Sequence, residues 1–236
     1  MFSSVVLIFE LIGTVAFSVS GAMVGIRKRM DIFGILILGL CTAVGGGVIR
    51  DLVLGNTPPV SFVQPVYAAV AAISALITCL PFVGSMIEKR HGPYDRLMLI
   101  MDSAGLGIFT VVGVRAAYVH VTDPSLYLLI FVGVITGVGG GILRDVLAGE
   151  TPFIFSKQFY ACASIIGALV CVIIWDAGTH IATMQLQSSP FQVTGEVLTS
   201  ADQIHSIAMA GGAFTVFVLR LLAAHFRWNL PRPWWE

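Results

Sequence analysis

Long apolar runs separated by short polar segments make up most of the chain. Seven such runs occur, at residues 4–26, 32–54, 62–86, 97–119, 125–147, 157–176 and 204–226. A helix needs about 20 apolar residues to cross the hydrocarbon core of a bilayer. The pattern therefore predicts an all-α, polytopic membrane protein with seven transmembrane helices in a single domain over residues 1–236. The polar stretch 177–203 is predicted to be an exposed loop.

The composition supports this prediction and narrows the function. Hydrophobic residues make up 57% of the chain and charged residues only 11%, against about 25% charged in a soluble protein. The formal net charge is zero, which argues against a nucleic-acid partner. No enzyme motif, cofactor motif or metal-ligand spacing is present. The cysteines fall inside apolar runs and are interpreted as buried thiols; they are Cys41, Cys79, Cys162 and Cys171.

Basic residues predict the orientation in the membrane. The start of the chain carries no Lys or Arg, so it lacks the basic region of a signal peptide. With the N-terminus outside, nine of the thirteen basic residues fall on the inner side, as the positive-inside rule requires. These nine are Arg27, Lys28, Arg29, Lys89, Arg90, Arg96, Lys157, Arg227 and Arg232. The tryptophans predicted to form an inner interfacial belt are Trp228, Trp234 and Trp235.

Two segments of the chain repeat each other at a constant offset of 94 residues. Residues 42–58 and 136–152 are identical at ten of seventeen positions, including Gly-Gly-Gly-x-x-Arg-Asp at 45–51 and 139–145. The offset matches the second predicted helix to the fifth, so the repeated unit contains three helices. Because three is odd, the second copy is inverted relative to the first, as in many transporters. Repeat one covers about 4–86, repeat two about 97–176, and the seventh helix, about 204–226, stands outside the duplication.

Consecutive glycines interrupt the second and fifth predicted helices. Each costs about 1 kcal/mol relative to alanine in a helix in water. Close helix packing is one explanation. The other is a kink whose backbone lines a wet cavity, and a run of glycines rather than a turn-spaced pair favours it. Thr42 and Thr136 would place hydroxyls beside the kinks. The glycines are Gly45, Gly46, Gly47, Gly139, Gly140 and Gly141.

Ionisable residues inside predicted spans usually mark a functional path. The motif supplies Arg50–Asp51 and Arg144–Asp145. Since adjacent residues on a helix do not face each other, each member of a pair is expected to find a different partner. The alternative is a salt bridge that only holds the helix in place.

Three further charges lie in the matching first and fourth spans. The offset pairs Glu10 with position 104, close to Asp102. Acidic groups in matching helices suit a path that attracts cations, although each carboxylate could instead share an arginine inside the bundle. Arg115 has no basic counterpart in the first span, where Gly21 occupies the matching position. It could sense the membrane potential or extend to the interface.

On these residues, above all the doubled Gly-Gly-Gly-x-x-Arg-Asp motif, the chain resembles the prokaryotic trimeric intracellular cation (TRIC) channel family. The same domain is also labelled a bacterial glycine-transporter domain. The resemblance covers nearly the whole chain, and it implies a homotrimer in a prokaryotic plasma membrane with one pore in each protomer. The pore would run between the kinked helices and conduct K⁺ and Na⁺. Arg50 and Arg144 would shape or gate it, while Asp51, Asp145, Glu10 and Asp102 would balance the charge.

Two other functions fit the sequence. A secondary transporter could hold the carboxylate of a zwitterion such as glycine at the N-terminus of a broken helix. A membrane scaffold would explain the apolar helices but not the two matched Arg–Asp pairs. The cation channel is therefore the leading hypothesis.

Overall fold

The computed structural model describes residues 4–80, 91–156, 159–188 and 195–228, and the regular elements among these residues are all helices. Several residues used in the orientation argument lie outside this description, namely Lys89, Arg90, Lys157, Arg232, Trp234 and Trp235. The helices are α1 (Ser4–Arg27), α2 (Ile32–Val53), α3 (Val60–Val63), α4 (Pro65–Thr78), α5 (His91–His120), α6 (Leu126–Leu147), α7 (Phe153–Ser156), α8 (Tyr160–Ser188) and α9 (Gly195–Phe226).

The all-helical, polytopic architecture predicted from the sequence is confirmed. Six of the described helices, α1, α2, α5, α6, α8 and α9, are long and apolar enough to cross a membrane, and α4 is a shorter apolar helix. α5 packs against α1, α6, α8 and α9, and Phe17 of α1 meets Phe109 of α5 with ring centroids 5.2 Å apart.

The third predicted span differs from the structure. The sequence predicts one helix over 62–86, whereas the structure has the four-residue α3 followed by α4, which begins at Pro65. Proline has no N–H to donate, so it is tolerated in the first turn of a helix but ends the one before it. α4 has 14 residues, about 21 Å of helix. The end of the predicted span, from residue 81 onward, lies outside the described residues.

The predicted loop 177–203 is wrong for most of its length. α8 continues to Ser188 and α9 already begins at Gly195, well before the predicted start of the seventh helix at 204. Polar residues do not prevent a helix from extending beyond the hydrocarbon. Nearer the middle of these helices, side chains hold α8 against α9 and α5. Trp175 and His205 stack with centroids 3.7 Å apart, and the Tyr118 hydroxyl donates to Asp176 at 2.7 Å.

α2 and α6 end in the same way. The residue after each C-cap is a glycine with positive φ, +71° at Gly55 and +65° at Gly149. The next backbone N–H reaches back into the helix, from Asn56 to the Asp51 carbonyl and from Glu150 to the Asp145 carbonyl, at 2.8 Å in both cases. This is a Schellman ending, which needs a left-handed residue and therefore favours glycine. It turns the chain sharply directly after each Arg–Asp pair.

α2 and α6 cross in backbone contact at their glycines. A Cβ added at Gly46 would overlap the carbonyl oxygen of Thr136, and one at Gly140 would overlap that of Thr42. As residue numbers rise along α2, the contacted numbers fall along α6, so the two helices run in opposite directions. Both are continuous α-helices through the glycines. The unwound backbone considered in the sequence analysis is therefore not observed, and close packing explains these two glycines; a bend of the helix axis stays a prediction.

We expect Gly46→Ala and Gly140→Ala to destabilise the protein. Each introduces a methyl group against a carbonyl of the facing helix, and overpacking of this kind costs about 1–3 kcal/mol. Gly47→Ala is the matched control, because a Cβ there meets nothing nearer than 3.8 Å. Thermal unfolding of the purified protein in detergent should show a lower Tm for the first two variants only. A Gly46→Ala variant as stable as Gly47→Ala would contradict the packing explanation.

Candidate functional site

The arginine and aspartate of each repeated motif bind each other. Nε of Arg50 donates to Oδ1 of Asp51 at 2.8 Å, and Nε of Arg144 donates to Oδ1 of Asp145 at the same distance. This corrects the expectation that neighbours on a helix would find separate partners. The arginine side chain is long enough to fold back along the helix surface. With water largely excluded, the adjacent carboxylate lies within reach to balance its charge.

The second oxygen of each aspartate fixes the chain that follows. Oδ2 of Asp51 accepts from the backbone N–H of Val60, and Oδ2 of Asp145 accepts from that of Phe153, both at 2.8 Å. Each aspartate thus connects the end of its long helix to the start of the short helix after the turn. Because its two oxygens hold an arginine and a backbone N–H, the motif aspartate is a structural partner that orients the guanidinium.

One buried cluster forms around Glu10, and we call Glu10, Arg50, Asp51 and Tyr67 the Glu10 cluster. Nη1 of Arg50 lies 3.8 Å from Oε1 of Glu10. The hydroxyl of Tyr67 donates a short hydrogen bond to the other carboxylate oxygen, Oε2. The guanidinium of Arg50 is therefore shared between two carboxylates, one from α1 and one from its own helix.

A second cluster forms around Asp102, and we call Asp102, Arg144, Asp145, Tyr160 and Arg220 the Asp102 cluster. Nη1 of Arg144 donates to Oδ1 of Asp102 at 2.6 Å and to the hydroxyl of Ser20 on α1 at 2.5 Å. The Tyr160 hydroxyl lies 3.4 Å from the same carboxylate oxygen. Nη2 of Arg220, from α9, lies 3.7 Å from the other oxygen.

The two clusters differ in their access to open space. A small cavity of about 20 Å³, room for about one water molecule, lies at the Glu10 cluster and is lined by Glu10, Arg50 and Tyr67 together with Gly47 and Ser61. In contrast, Arg144 and Asp145 are completely buried, with exposed fractions of 0%. Water and ions can approach the first cluster in this conformation, while protein encloses the second.

Arg115 lies beside the first cluster. It lines a wider cleft of about 410 Å³ together with Glu10, Arg50, Asn56 and His120. The structure therefore places this unmatched arginine on the same side as the Glu10 cluster. Its position is that of a wall residue of the cleft; voltage sensing by Arg115 stays a prediction.

Thr42 and Thr136 occupy a different place from the one expected. Both are completely buried, and both hydroxyls donate to a carbonyl of their own helix at 2.6 Å. Their carbonyl oxygens contact Gly140 and Gly46 across the helix crossing. In this conformation they support the crossing, and a contact between their hydroxyls and a permeating ion stays a prediction.

The sequence analysis missed the tyrosines and gave Arg220 no role. Tyr67 and Tyr160 are 93 residues apart (160 − 67), one short of the repeat offset. Each points its hydroxyl at the carboxylate of its own cluster. Searching for tyrosines near the offset would have found this pair. Arg220 has no such signal, because α9 lies outside the duplication.

An exposed ion-pair network joins the end of α1 to the turn after α6. Nη2 of Arg27 and Nζ of Lys28 lie 2.9 and 3.0 Å from Oε1 of Glu150. Partial burial raises the pKa of the Glu150 carboxyl. Hydrogen bonds and charge from Lys28 and Arg27 outweigh this effect, so the pKa of Glu150 lies below its ordinary value. The carboxylate of Glu150 is thus ionised while it is in contact with Arg27 and Lys28.

The chain matches one described protein family over most of its length. The family is described as "Glycine transporter", and the match covers residues 7–81 and 99–176. A UPF0126 membrane protein of Deinococcus radiodurans is 36% identical over 224 residues, which is 94% of this chain and 89% of that protein.

Solved structures share the fold. A structure reported as the structural basis for conductance through TRIC cation channels matches with a TM-score of 0.72 and 33% identity, over 97% of both chains. The TRIC trimeric intracellular cation channel orthologue from Rhodobacter sphaeroides matches with a TM-score of 0.73 and 31% identity, over 95% of this chain and all of that one. The resemblance inferred from the sequence is confirmed.

We expect Glu150→Gln to remove an acid-sensitive part of the stability. A carboxyl whose pKa is lowered by folding stabilises the protein above its unfolded pKa, about 4.3, and loses that effect as the pH falls through the folded pKa. Because the pair is exposed, the effect should be at most about 1 kcal/mol. The Tm of wild type should exceed that of Glu150→Gln at pH 7 and approach it by about pH 3.

Asp123→Asn is the control, since Asp123 is an exposed carboxylate outside the network of Arg27, Lys28 and Glu150. It should leave the Tm unchanged at both pH values. A Glu150→Gln deficit of the same size at pH 7 and pH 3 would show that the ion pairs do not cause it.

Proposed function

We propose that this chain, which belongs to the glycine transporter family, is a cation channel with an ion path past its two buried arginine clusters. The likeness to solved TRIC cation channels over almost the whole chain supports this proposal. The observation that carries it is the Glu10 cluster, where charged side chains from α1 and α2 meet at an open cavity inside an apolar bundle.

The charge in this cluster favours cations. Glu10 and Asp51 carry two formal negative charges, and Arg50 carries one positive charge. The Glu10 cluster as a whole therefore carries one surplus negative charge, beside a cavity that Glu10 and Arg50 line. A charged wall in low-dielectric surroundings raises the local concentration of the opposite ion. Arg115 adds positive charge to the wider cleft, so the cation-attracting site is local to Glu10.

The crossing of α2 and α6 suggests the course of the path. Arg50 lies four residues beyond Gly46, and Arg144 lies four residues beyond Gly140, which is about 6 Å along each helix. Because the helices run in opposite directions, the two arginines lie on opposite sides of the crossing. An ion would pass one cluster, then the crossing, then the other cluster, which is the arrangement expected of an inverted duplication.

The finer parts of the proposal are the ion, the assembly and the location. We propose that K⁺ and Na⁺ permeate, and that three copies assemble with one pore in each, as the trimeric orthologue of similar fold suggests. The protein would span the plasma membrane of a prokaryote many times, since its relatives are bacterial membrane proteins. The N-terminus would lie outside and the C-terminus in the cytoplasm, which the positive-inside rule supports.

Transport of a small zwitterion such as glycine is the second candidate. The Glu10 cluster presents a carboxylate and a guanidinium to the same wide cleft, and these groups match the ammonium and carboxylate of an amino acid. The description of the family points the same way. A transporter would show uptake into proteoliposomes that saturates with glycine, whereas a channel would show unitary currents.

Single-channel recording in a planar bilayer with a KCl gradient tests the channel directly. Wild type should give unitary currents that reverse near the K⁺ equilibrium potential. A silent bilayer with saturable glycine uptake would support the transporter instead.

Variants of the Glu10 cluster test the role of its charges. A unit charge about 4 Å from an ion is worth about 1 kcal/mol in water, so Glu10→Gln should lower the K⁺ conductance about fivefold. Arg50→Ala and Arg144→Ala should also change the conductance or the open probability, because each leaves carboxylates without their guanidinium. Asp123→Asn controls for the loss of an exposed carboxylate. Arginine variants that fold and conduct like wild type would show that the clusters are purely structural.

A further inference from the structure

We infer that Arg220 of α9 keeps the Asp102 half of the path closed, so that this residue sets how readily the path opens. The inference rests on the proposed function, since it describes a regulation of the same path. Arg220 touches no open cavity described above. It would act through Asp102, as a positioning residue.

The contacts of Arg220 show how it could act. Its Nη2 lies 3.7 Å from Oδ2 of Asp102, and its guanidinium lies over the ring of Tyr160, 4.6 Å from the centroid. Arg144 holds the opposite oxygen of the same carboxylate. Asp102 is therefore held between two guanidinium groups, one from repeat two and one from the seventh helix.

The charge balance explains why this cluster is closed. With Arg220 included, Arg144 and Arg220 balance Asp102 and Asp145, two charges of each sign. The cluster then has no surplus charge to draw a cation inward, and all four side chains are 4% exposed or less. The Glu10 cluster has one arginine for two carboxylates and lies on a cavity. Arg115 brings a second guanidinium to that side, but it lines the cleft. The difference between the two sides is thus that the arginine from α9 is enclosed together with its carboxylate.

Removing Arg220 should open the cluster to water. A carboxylate buried without its partner is strongly unfavourable, and it is stabilised by admitting water or a cation. Polar atoms of the cluster could already form further hydrogen bonds. Among the described residues, no hydrogen bond reaches Oδ2 of Asp102 or Nη2 of Arg144. A hydrated state would satisfy both atoms, so loss of the positive charge of Arg220 should shift the equilibrium toward it.

α9 can pack this closely only against the helices of repeat two. A Cβ at Gly167 of α8 would come 2.9 Å from the Gly212 carbonyl oxygen, and one at Gly107 of α5 would come 2.7 Å from that of Ala213. α9 therefore lies in backbone contact with both helices. The position matching Gly167 in repeat one is Ile73 (167 − 94), whose side chain is exposed. A helix could not approach α4 as closely, so the Glu10 cluster has no equivalent of Arg220.

Cysteine labelling in membranes tests the inference without relying on channel activity. Ser20→Cys places a thiol beside Arg144, where the serine hydroxyl is completely buried. In a background with the four native cysteines replaced by alanine, a cationic methanethiosulfonate reagent should label it slowly. Adding Arg220→Gln should raise the labelling rate about tenfold, a coupling typical of linked sites. Ser61→Cys in the open cavity should be labelled quickly in both backgrounds.

Arg227→Gln is the matched control, because Arg227 follows α9 directly and is exposed. It should leave the labelling rate at Ser20→Cys unchanged. If Arg220→Gln fails to fold, Arg220→Met decides the question. The methionine removes the charge but keeps a long unbranched side chain, so its labelling rate should lie above that of wild type. A rate equal to wild type in the folded variant would overturn the inference.

Current recording separates this inference from the proposed function. If the path is a cation channel, Arg220→Gln should also raise the open probability. Faster labelling of a protein that passes no current in either form would support closure by Arg220 and overturn the channel. Unitary currents in wild type with unchanged labelling and unchanged open probability in Arg220→Gln would support the channel and overturn the role of Arg220.

Discussion

The backbone contact between α2 and α6 is the constraint on which the rest of the structure depends. At Gly46 and Gly140 each helix leaves room only for a carbonyl of the other, so neither helix can slide or rotate without a clash. Small residues make this approach possible, and in a membrane close packing replaces the hydrophobic force that joins helices in water. Because the helices are antiparallel, the same contact places Arg50 on one side of the crossing and Arg144 on the other.

Burial of charge is the second constraint, and the two halves satisfy it differently. A guanidinium removed from water must be compensated almost completely by hydrogen bonds and opposite charge. Each arginine forms an ion pair with the aspartate beside it on the helix. That aspartate also accepts a hydrogen bond from a backbone N–H after the Schellman turn. Nη1 of each arginine lies near a carboxylate on α1 or α5. Although the two clusters share this arrangement of ion pairs, one lies open to a cavity and the other is enclosed by protein.

Periodicity and duplication allowed much of this to be predicted. Apolar runs are sufficient to locate membrane helices, and the constant offset revealed the matched motifs and the shared geometry of their charges. The partners of those charges could not be predicted, because a side chain as long as that of Arg50 reaches neighbours that helix geometry alone assigns to another face. The helical ends of α8 and α9 were missed for a related reason. Hydropathy marks the part of a helix inside the membrane and does not show how far the helix continues beyond it, as α8 does to Ser188.

The seventh helix shows why the duplication does not give two equal halves. An inverted repeat supplies two equivalent clusters, and two clusters of equal charge and access would leave a path equally open or equally closed on both sides. α9 lies in backbone contact with Gly107 and Gly167, and it brings one arginine to one of the two carboxylates. A single unrepeated helix therefore converts a symmetric framework into one with distinct sides. That asymmetry is what a regulated path requires, because one side can control access while the other interacts with the ion.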